Sequence, residues 1–231
     1  MPKRYVFFTA LSYAYPIYRP LQEAIRARGD EVAWFLEGEC PDLLKPDEIR
    51  LHTINDVIEY NPLAIFACGN IIYHFLPGIK VSVFHGYPIG KRGEKTSATD
   101  DHFSIRGWFD MYCTQGPSST EYFKQLEAKH QFFKVYQTGW AKVDDYFSSY
   151  KKENDVPTIL YATTFSKGIT SAPVLVDTIS RLVKEKKWNW RLTFHPKLND
   201  KTLLNRYRAL ADEYSNVTFI DNVRLEDFQQ S

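Results

Sequence analysis

Cysteine is scarce in this chain and poorly placed for cross-linking: the three residues, Cys40, Cys68 and Cys113, are odd in number and far apart. That excludes a disulfide framework and a CxxC metal site, and suits a reducing compartment. Long apolar runs are missing too, since no stretch approaches the roughly 18 residues that span a bilayer. The opening MPKRYVFFTALSYAYPIY is basic and briefly apolar, but Ser12, Tyr13 and Pro16 interrupt it and no small-residue cleavage site follows, so it does not read as a secretion signal. A cytoplasmic protein is expected, with peripheral contact at the inner face of the cell membrane left open. Charge of one sign is also lacking: 29 Lys and Arg against 28 Asp and Glu leave a net charge of +1. No global field steers a polyanion, although a local anion site remains open. Basic and aromatic residues do not alternate in a patch, so nucleic acid is not an expected partner. No Walker loop, GxGxxG, HExxH or GxSxG occurs. No carboxylate spacing around Asp100, Asp101 and Asp110 marks a glycosidase pair, and the histidines and cysteines lack zinc-ligand spacing. Neither metal nor cofactor is expected.

What is present fits a packed protein. The hydrophobic set makes up 44% and charged residues 25%, ordinary for a globular chain. Sixteen Phe and fifteen Tyr read chiefly as strand and core filling, with a ligand pocket or lipid-facing surface as the alternative. The length accommodates one large domain, or one domain plus part of another.

Hydrophobic patterning predicts strands at 5–9, 31–36, 63–67, 80–84, 109–113 and 132–136, with helices at 17–28, 56–60 and from Gly116-Pro117-Ser118-Ser119 to about 128. A short helix follows in GWAKVDDYFSSY. Gly29 stops the first helix. The order strand, helix, strand is the βαβ pattern of a parallel sheet, of five or six strands. The segment KKENDVP, residues 151–157, is the best linker. The rhythm then restarts, with strands at 158–162, 190–194 and 217–220, helices at 173–186 and 201–214, and another helix starting near 225. The predicted class is α/β: a Rossmann-like parallel-sheet domain over 1–150, the linker, and an incomplete second Rossmann-like domain over 158–231. A sheet stopped there leaves apolar faces uncovered, so a fragment of a longer protein is the expectation and a small second lobe the alternative.

His85-Gly86 directly follows a predicted strand. Its imidazole could act as a base on a hydroxyl, donate to a phosphate, or merely close the loop, while Gly86 lets a ligand approach the backbone. The loop beyond carries Lys91, Arg92 and Lys95, a phosphate-holding cluster or a solvated charge run. His195-Pro196-Lys197 ends a strand of the second domain in the same way, so the two histidines are expected to face one another across an interdomain cleft. Gly139 and the run Thr163-Thr164-Phe165-Ser166 would border that cleft, offering N–H groups and hydroxyls to an anion or a ribose.

Four segments together resemble the CDP-glycerol glycerophosphotransferase family, enzymes of teichoic-acid polymerase and primase type: VFHGYPIGKRG (83–93), TGWAKVDDYF (138–147), TILYATTFSKG (158–168) and RLTFHPKL (191–198). The resemblance spans roughly residues 80–198. It implies a GT-B fold, with 1–150 on the acceptor side and 158–231 on the nucleotide-donor side. It also implies attack of a hydroxyl on the β-phosphorus of a CDP-linked alditol, with CMP leaving. His85 becomes the candidate base and His195 the candidate for stabilising the donor pyrophosphate. Gly86, Lys91, Gly139, Thr163, Thr164, Ser166 and Lys197 become candidate donor and phosphate contacts. The implied partners are a nucleotide-linked donor and a hydroxyl-bearing polymer or lipid-linked acceptor. Departures are Tyr87 where the family has Thr, Thr163 where it has Pro, and Lys167 where it has Arg. A later donor-site segment is expected beyond Asp221. Alternatives are another GT-B activity, such as a glycosyltransferase or nucleotide-sugar epimerase, and an inactive fragment acting through partner binding.

Overall fold

The computed structural model describes residues 1–86, 105, 107–144 and 154–221. The chain divides into two compact units, Met1–Asp145 and Tyr146–Ser231.

The first unit is built on strands β1 (Arg4–Thr9), β2 (Glu31–Leu36), β3 (Ile49–Leu51), β4 (Ala64–Ala67), β5 (Ile79–Ser82), β6 (Met111–Thr114) and β7 (Lys134–Gln137). They form one sheet in the order β3-β2-β1-β4-β5-β6-β7, with every pairing parallel. Among the described residues the sheet therefore has seven strands rather than five or six. The strand missing from the sequence reading is β3, whose three residues are too few to show a period. Strand order reverses at the β1/β4 boundary, the switch point of a doubly wound sheet.

Side chains alternate across a strand, and β1 shows how this builds three layers. Phe7 packs with Tyr15, Ile17 and Tyr18 of helix α1 (Tyr15–Arg26), whereas Val6 and Phe8 face the opposite core, which contains Val57 of α2 (Ile54–Tyr60) and Phe123 of α3 (Pro117–His130). Helix α1 starts earlier than its apolar pattern suggests, after a 3-10 turn at Ser12–Ala14, and tolerates Pro20 in its interior. Gly29 lies at φ +78° just beyond the helix. Glycine is demanded most strictly at Gly78, where φ is +81° and a Cβ would fall 2.3 Å from the Pro62 carbonyl oxygen.

A buried polar network stiffens the β2–α1 side. Trp34 Nε1 donates to Gln22 at 2.7 Å, Gln22 donates to Glu48 at 3.0 Å, and the Arg19 guanidinium reaches both Glu48 oxygens at 3.1 and 3.2 Å. Burial pushes the Glu48 carboxyl upward, but the bonds from Arg19, the Lys45 N–H and Gln22 outweigh it and hold the group below its ordinary range.

The second unit has β8 (Thr158–Thr163), α4 (Ala172–Glu185), β9 (Asn189–Phe194), α5 (Lys201–Glu213) and β10 (Val217–Ile220). Its parallel sheet runs β10-β9-β8. Both helices contribute to a single core, with Val176 and Ile179 from α4 and Tyr207 and Leu210 from α5 packed on Trp190, Leu192 and Val217. The Tyr207 hydroxyl donates to the Ala172 carbonyl at 2.7 Å and ties the two helices together. The helix expected from residue 225 lies outside the described residues, as do residues 151–153 of the expected linker. Among the described residues no helix is long and apolar enough to cross a membrane.

Candidate functional site

In the first unit, β5 carries the chain towards His85 at the carboxyl end of the sheet. Parallel pairing extends one residue past the strand, through the Val83 N–H to the Ala67 carbonyl at 3.0 Å. Phe84 then turns the backbone into the left-handed region, with φ +52°. For a bulky L-residue this costs on the order of 1–2 kcal/mol. The turn persists because the Phe84 ring is buried, 5.2 Å from the Phe123 ring.

The turn directs the His85 imidazole towards β4. Nδ1 lies 3.0 Å from the carbonyl oxygen of Cys68. A carbonyl only accepts, so Nδ1 carries the proton and the neutral ring has its lone pair on Nε2. The Tyr13 ring lies against the imidazole, centroids 5.0 Å apart and planes at 31°. The Cys68 peptide is fixed in turn: its N–H donates to the Tyr18 hydroxyl at 2.7 Å, and that hydroxyl donates to the Phe8 carbonyl at 2.9 Å. Tyr18 thus joins the carboxyl ends of β1 and β4 at the switch point. Burial raises the Cys68 thiol to about 11, so it stays neutral, and because the imidazole binds its carbonyl this is not a cysteine–histidine dyad.

The chain on either side of His85 is held as well. Trp140 Nε1 donates to the Phe84 carbonyl at 3.3 Å, and Gln115 Nε2 donates to the Gly86 carbonyl. Gly139, just before Trp140, adopts φ +82° and gives its N–H to the Thr114 carbonyl at 3.2 Å, so that donor is already engaged within the protein. Lys91 lies outside the described residues, with Arg92, Lys95, Asp100 and Asp101. Asp110 sits at the other end of the sheet, where its carboxylate accepts the Lys80 N–H at 2.8 Å.

In the second unit β8 and β9 end side by side. The His195 N–H donates to the Thr163 carbonyl at 3.2 Å, and His195 Nδ1 accepts the Lys197 N–H at 3.1 Å. Nδ1 is here the acceptor, which leaves the proton of the neutral ring on Nε2. Phe165 packs on the imidazole, centroids 4.4 Å apart, and the Lys197 ammonium lies 5.6 Å from the Phe165 ring centre. The Ser166 carbonyl closes the loop by accepting the Ile169 and Thr170 N–H groups at 3.2 and 3.0 Å. Thr164 lies in the same loop. Among the described residues the Thr163 hydroxyl oxygen is buried without a hydrogen-bond partner. Thr163, Ser166, His195 and Lys197 thus share one end of this sheet, as Gly86 and Gly139 share an end of the other sheet with His85.

Sequence reasoning did not find Tyr13, Tyr18, Gln115 or Trp140, whose roles depend on partners distant in the chain. An open groove of about 980 Å³ in the first unit lies at the amino ends of the strands, bordered by Lys3, Arg4, Lys80 and Lys134. Ligands of parallel sheets sit at the carboxyl ends, so it is not the candidate. Among the described residues no group of three or more His, Cys, Asp or Glu is arranged to hold a metal ion.

No family model and no curated protein matches the sequence. Solved structures do match in shape. A protein assigned as a UDP-N-acetylglucosamine 2-epimerase from Listeria monocytogenes superposes with TM-score 0.65 at 12% identity, over 99% of this chain and 71% of its own. A UDP-N-acetylglucosamine 2-epimerase from Rickettsia bellii gives 0.57 at 12% identity, over 99% and 71%. The wall teichoic acid polymerase TagF, as its H444N variant, gives 0.55 at 12% identity, over 96% of this chain and 62% of its own. At such identities the likeness is one of fold: the chain has the GT-B-like α/β architecture, with Rossmann-like parallel sheets.

Proposed function

We propose that the protein is a transferase moving glycerol phosphate, or a related alditol phosphate, from a CDP-linked donor to a hydroxyl acceptor in cell-surface polymer synthesis. The observation that carries the reading is the 3.0 Å approach of His85 Nδ1 to the Cys68 carbonyl oxygen, which places the proton of the neutral ring on Nδ1 and its lone pair on Nε2, beyond the carboxyl end of β5. In the step proposed, Nε2 takes the proton of the acceptor hydroxyl as its oxygen bonds to the β-phosphorus. The bond from that phosphorus to the bridging oxygen breaks, and CMP leaves with the electron pair. The imidazolium then returns its proton to water.

Phosphoryl oxygens need hydrogen-bond donors placed in advance. His195 Nε2–H supplies one, and Lys197, Thr163, Thr164 and Ser166 are the assigned phosphate contacts around it. Gly86 gives close backbone approach beside the base, while Lys91 and Gly139 complete the assigned set, Gly139 by shaping its loop rather than by donating its N–H. The four sequence segments support the choice of donor; the fold, shared with a wall teichoic acid polymerase and with UDP-N-acetylglucosamine 2-epimerases alike, is compatible with it. The acceptor is assigned as a hydroxyl-bearing polymer or lipid-linked molecule met at the inner membrane face, and the domains as 1–150 for the acceptor and 158–231 for the donor.

The test is calorimetric titration of the chain with CDP-glycerol, CMP and UDP-N-acetylglucosamine, followed by an assay for released CMP. Preferential binding of CDP-glycerol with CMP release is expected. Preference for UDP-N-acetylglucosamine moves the assignment to another GT-B activity. Binding of none, together with a mass that rises with concentration above 27.0 kDa, moves it to partner binding.

A further inference from the structure

We infer that Gln115 and Trp140 are positioning residues for His85, acting as a two-sided clamp on the strained turn that selects its tautomer. His85 lies between two peptide carbonyls that are each held by a side chain from another strand end. Trp140, after β7, donates its indole N–H to the carbonyl of Phe84, and Gln115, after β6, donates its amide N–H to the carbonyl of Gly86. The held segment contains Phe84, the left-handed residue that turns the imidazole towards Cys68. A left-handed phenylalanine relaxes unless its surroundings over-determine it. The ring of Phe84 is fixed by the core and its carbonyl by Trp140, so the peptide plane has little freedom.

Gln115 carries an independent sign of this task. The residue is 6% exposed; among the described residues its Oε1 is buried without a hydrogen-bond partner, and its side-chain bond goes to Gly86. A buried amide with an unmet acceptor is unfavourable compared with an apolar side chain of the same shape. Its bond to Gly86 is the feature that distinguishes it from such a side chain. With both carbonyls held, His85 Nδ1 meets the Cys68 carbonyl and the lone pair stays on Nε2. Released, the segment can rotate, and the ring is free to exchange tautomers. The catalytic consequence rests on the base role proposed above, whereas the clamp itself is a property of the protein without substrate.

The experiment is ¹⁵N NMR of the His85 ring in the full chain, at a pH where the imidazole is neutral, for wild type, Gln115→Leu, Trp140→Phe and the control Glu48→Gln. Each clamp variant keeps the apolar bulk and removes the donor. The wild type and the control are expected to show the Nδ1–H pattern. Both clamp variants are expected to lose it in favour of averaged shifts from an exchanging pair. Retention of the Nδ1–H pattern by folded Gln115→Leu and Trp140→Phe, whatever their melting temperatures, overturns the inference, as does its equal loss in Glu48→Gln. Loss of the pattern with CMP release unchanged leaves the clamp standing and removes the base role.

Discussion

His85 and His195 both lie beyond the carboxyl ends of parallel strands, one in each unit, His85 three residues past β5 and His195 directly after β9, yet they present opposite nitrogens. His85 gives its Nδ1 proton to the carbonyl of Cys68, seventeen residues earlier, and keeps a basic Nε2. His195 accepts at Nδ1 from the N–H of Lys197, two residues later, and keeps a donating Nε2–H. A strand-terminal histidine is therefore not one chemical signal. The partner of Nδ1 decides whether the outer nitrogen takes a proton or offers one. The surroundings differ to match. The first ring is half-buried against Tyr13 and its backbone is tied down on both sides, whereas the second is exposed and held by its own turn. Among the described ion pairs Arg19–Glu48 stands apart, with a fully buried carboxylate; Arg26–Asp47 and Arg50–Asp42 of the first unit and Arg181–Glu185, Arg206–Asp177 and Arg208–Asp221 of the second face solvent and contribute little.

The harshest way to break the contrast is to remove the basic nitrogen. His85→Ala should lower CMP release by roughly 10²–10⁴-fold, the usual contribution of a general base, with the fold retained by circular dichroism. A rate near wild type would sink the base role. Next is the buried carboxylate. Glu48→Gln should cost about 2–3 kcal/mol in denaturant unfolding, because Arg19 and Gln22 lose a charged partner. The sign of its pH dependence follows from the lowered Glu48 pKa. The stability Glu48 contributes is complete above its ordinary value of 4.5 and is lost as pH falls through the depressed folded-state value. Wild type should therefore lose stability from about pH 5 downward, and the variant should show a flatter profile. A profile unchanged by the substitution would assign the acid sensitivity elsewhere.

A smaller effect is expected at the donating histidine. His195→Ala should weaken CDP-glycerol binding by about 1.5–2 kcal/mol, the value of a hydrogen bond to a charged group, read by calorimetry. If the two histidines had the same function, this variant would instead abolish turnover and leave affinity intact. The smallest effect, and one of opposite sign, belongs to Thr163→Val. Replacing a buried hydroxyl that has no partner should stabilise the free chain by about 1 kcal/mol. If the hydroxyl is a phosphate contact, the same change reduces donor affinity. Stabilisation without loss of affinity would remove Thr163 from the site.

Patterning alone determined the alternation of strands and helices, down to the full bounds of β2 and β10, because apolar strands and amphipathic helices carry their periods locally. It also marked the stop at Gly29 and the helix start at Pro117, where backbone constraints belong to the residue itself. It placed both histidines at strand ends for the same reason. The 3-10 turn before α1, the edge strand β3 and the demand for glycine at position 78 were not legible, since each depends on what packs nearby. The His195 turn lies within reach of local reasoning, because its partner is two residues away. The His85 tautomer does not: it requires β5 to lie beside β4 so that a carbonyl seventeen residues back meets the ring. Tyr18, Gln115 and Trp140 must also arrive from α1, β6 and β7. Residue type supplied an imidazole at each site, and only the packing of non-adjacent strands decided where the proton of His85 resides.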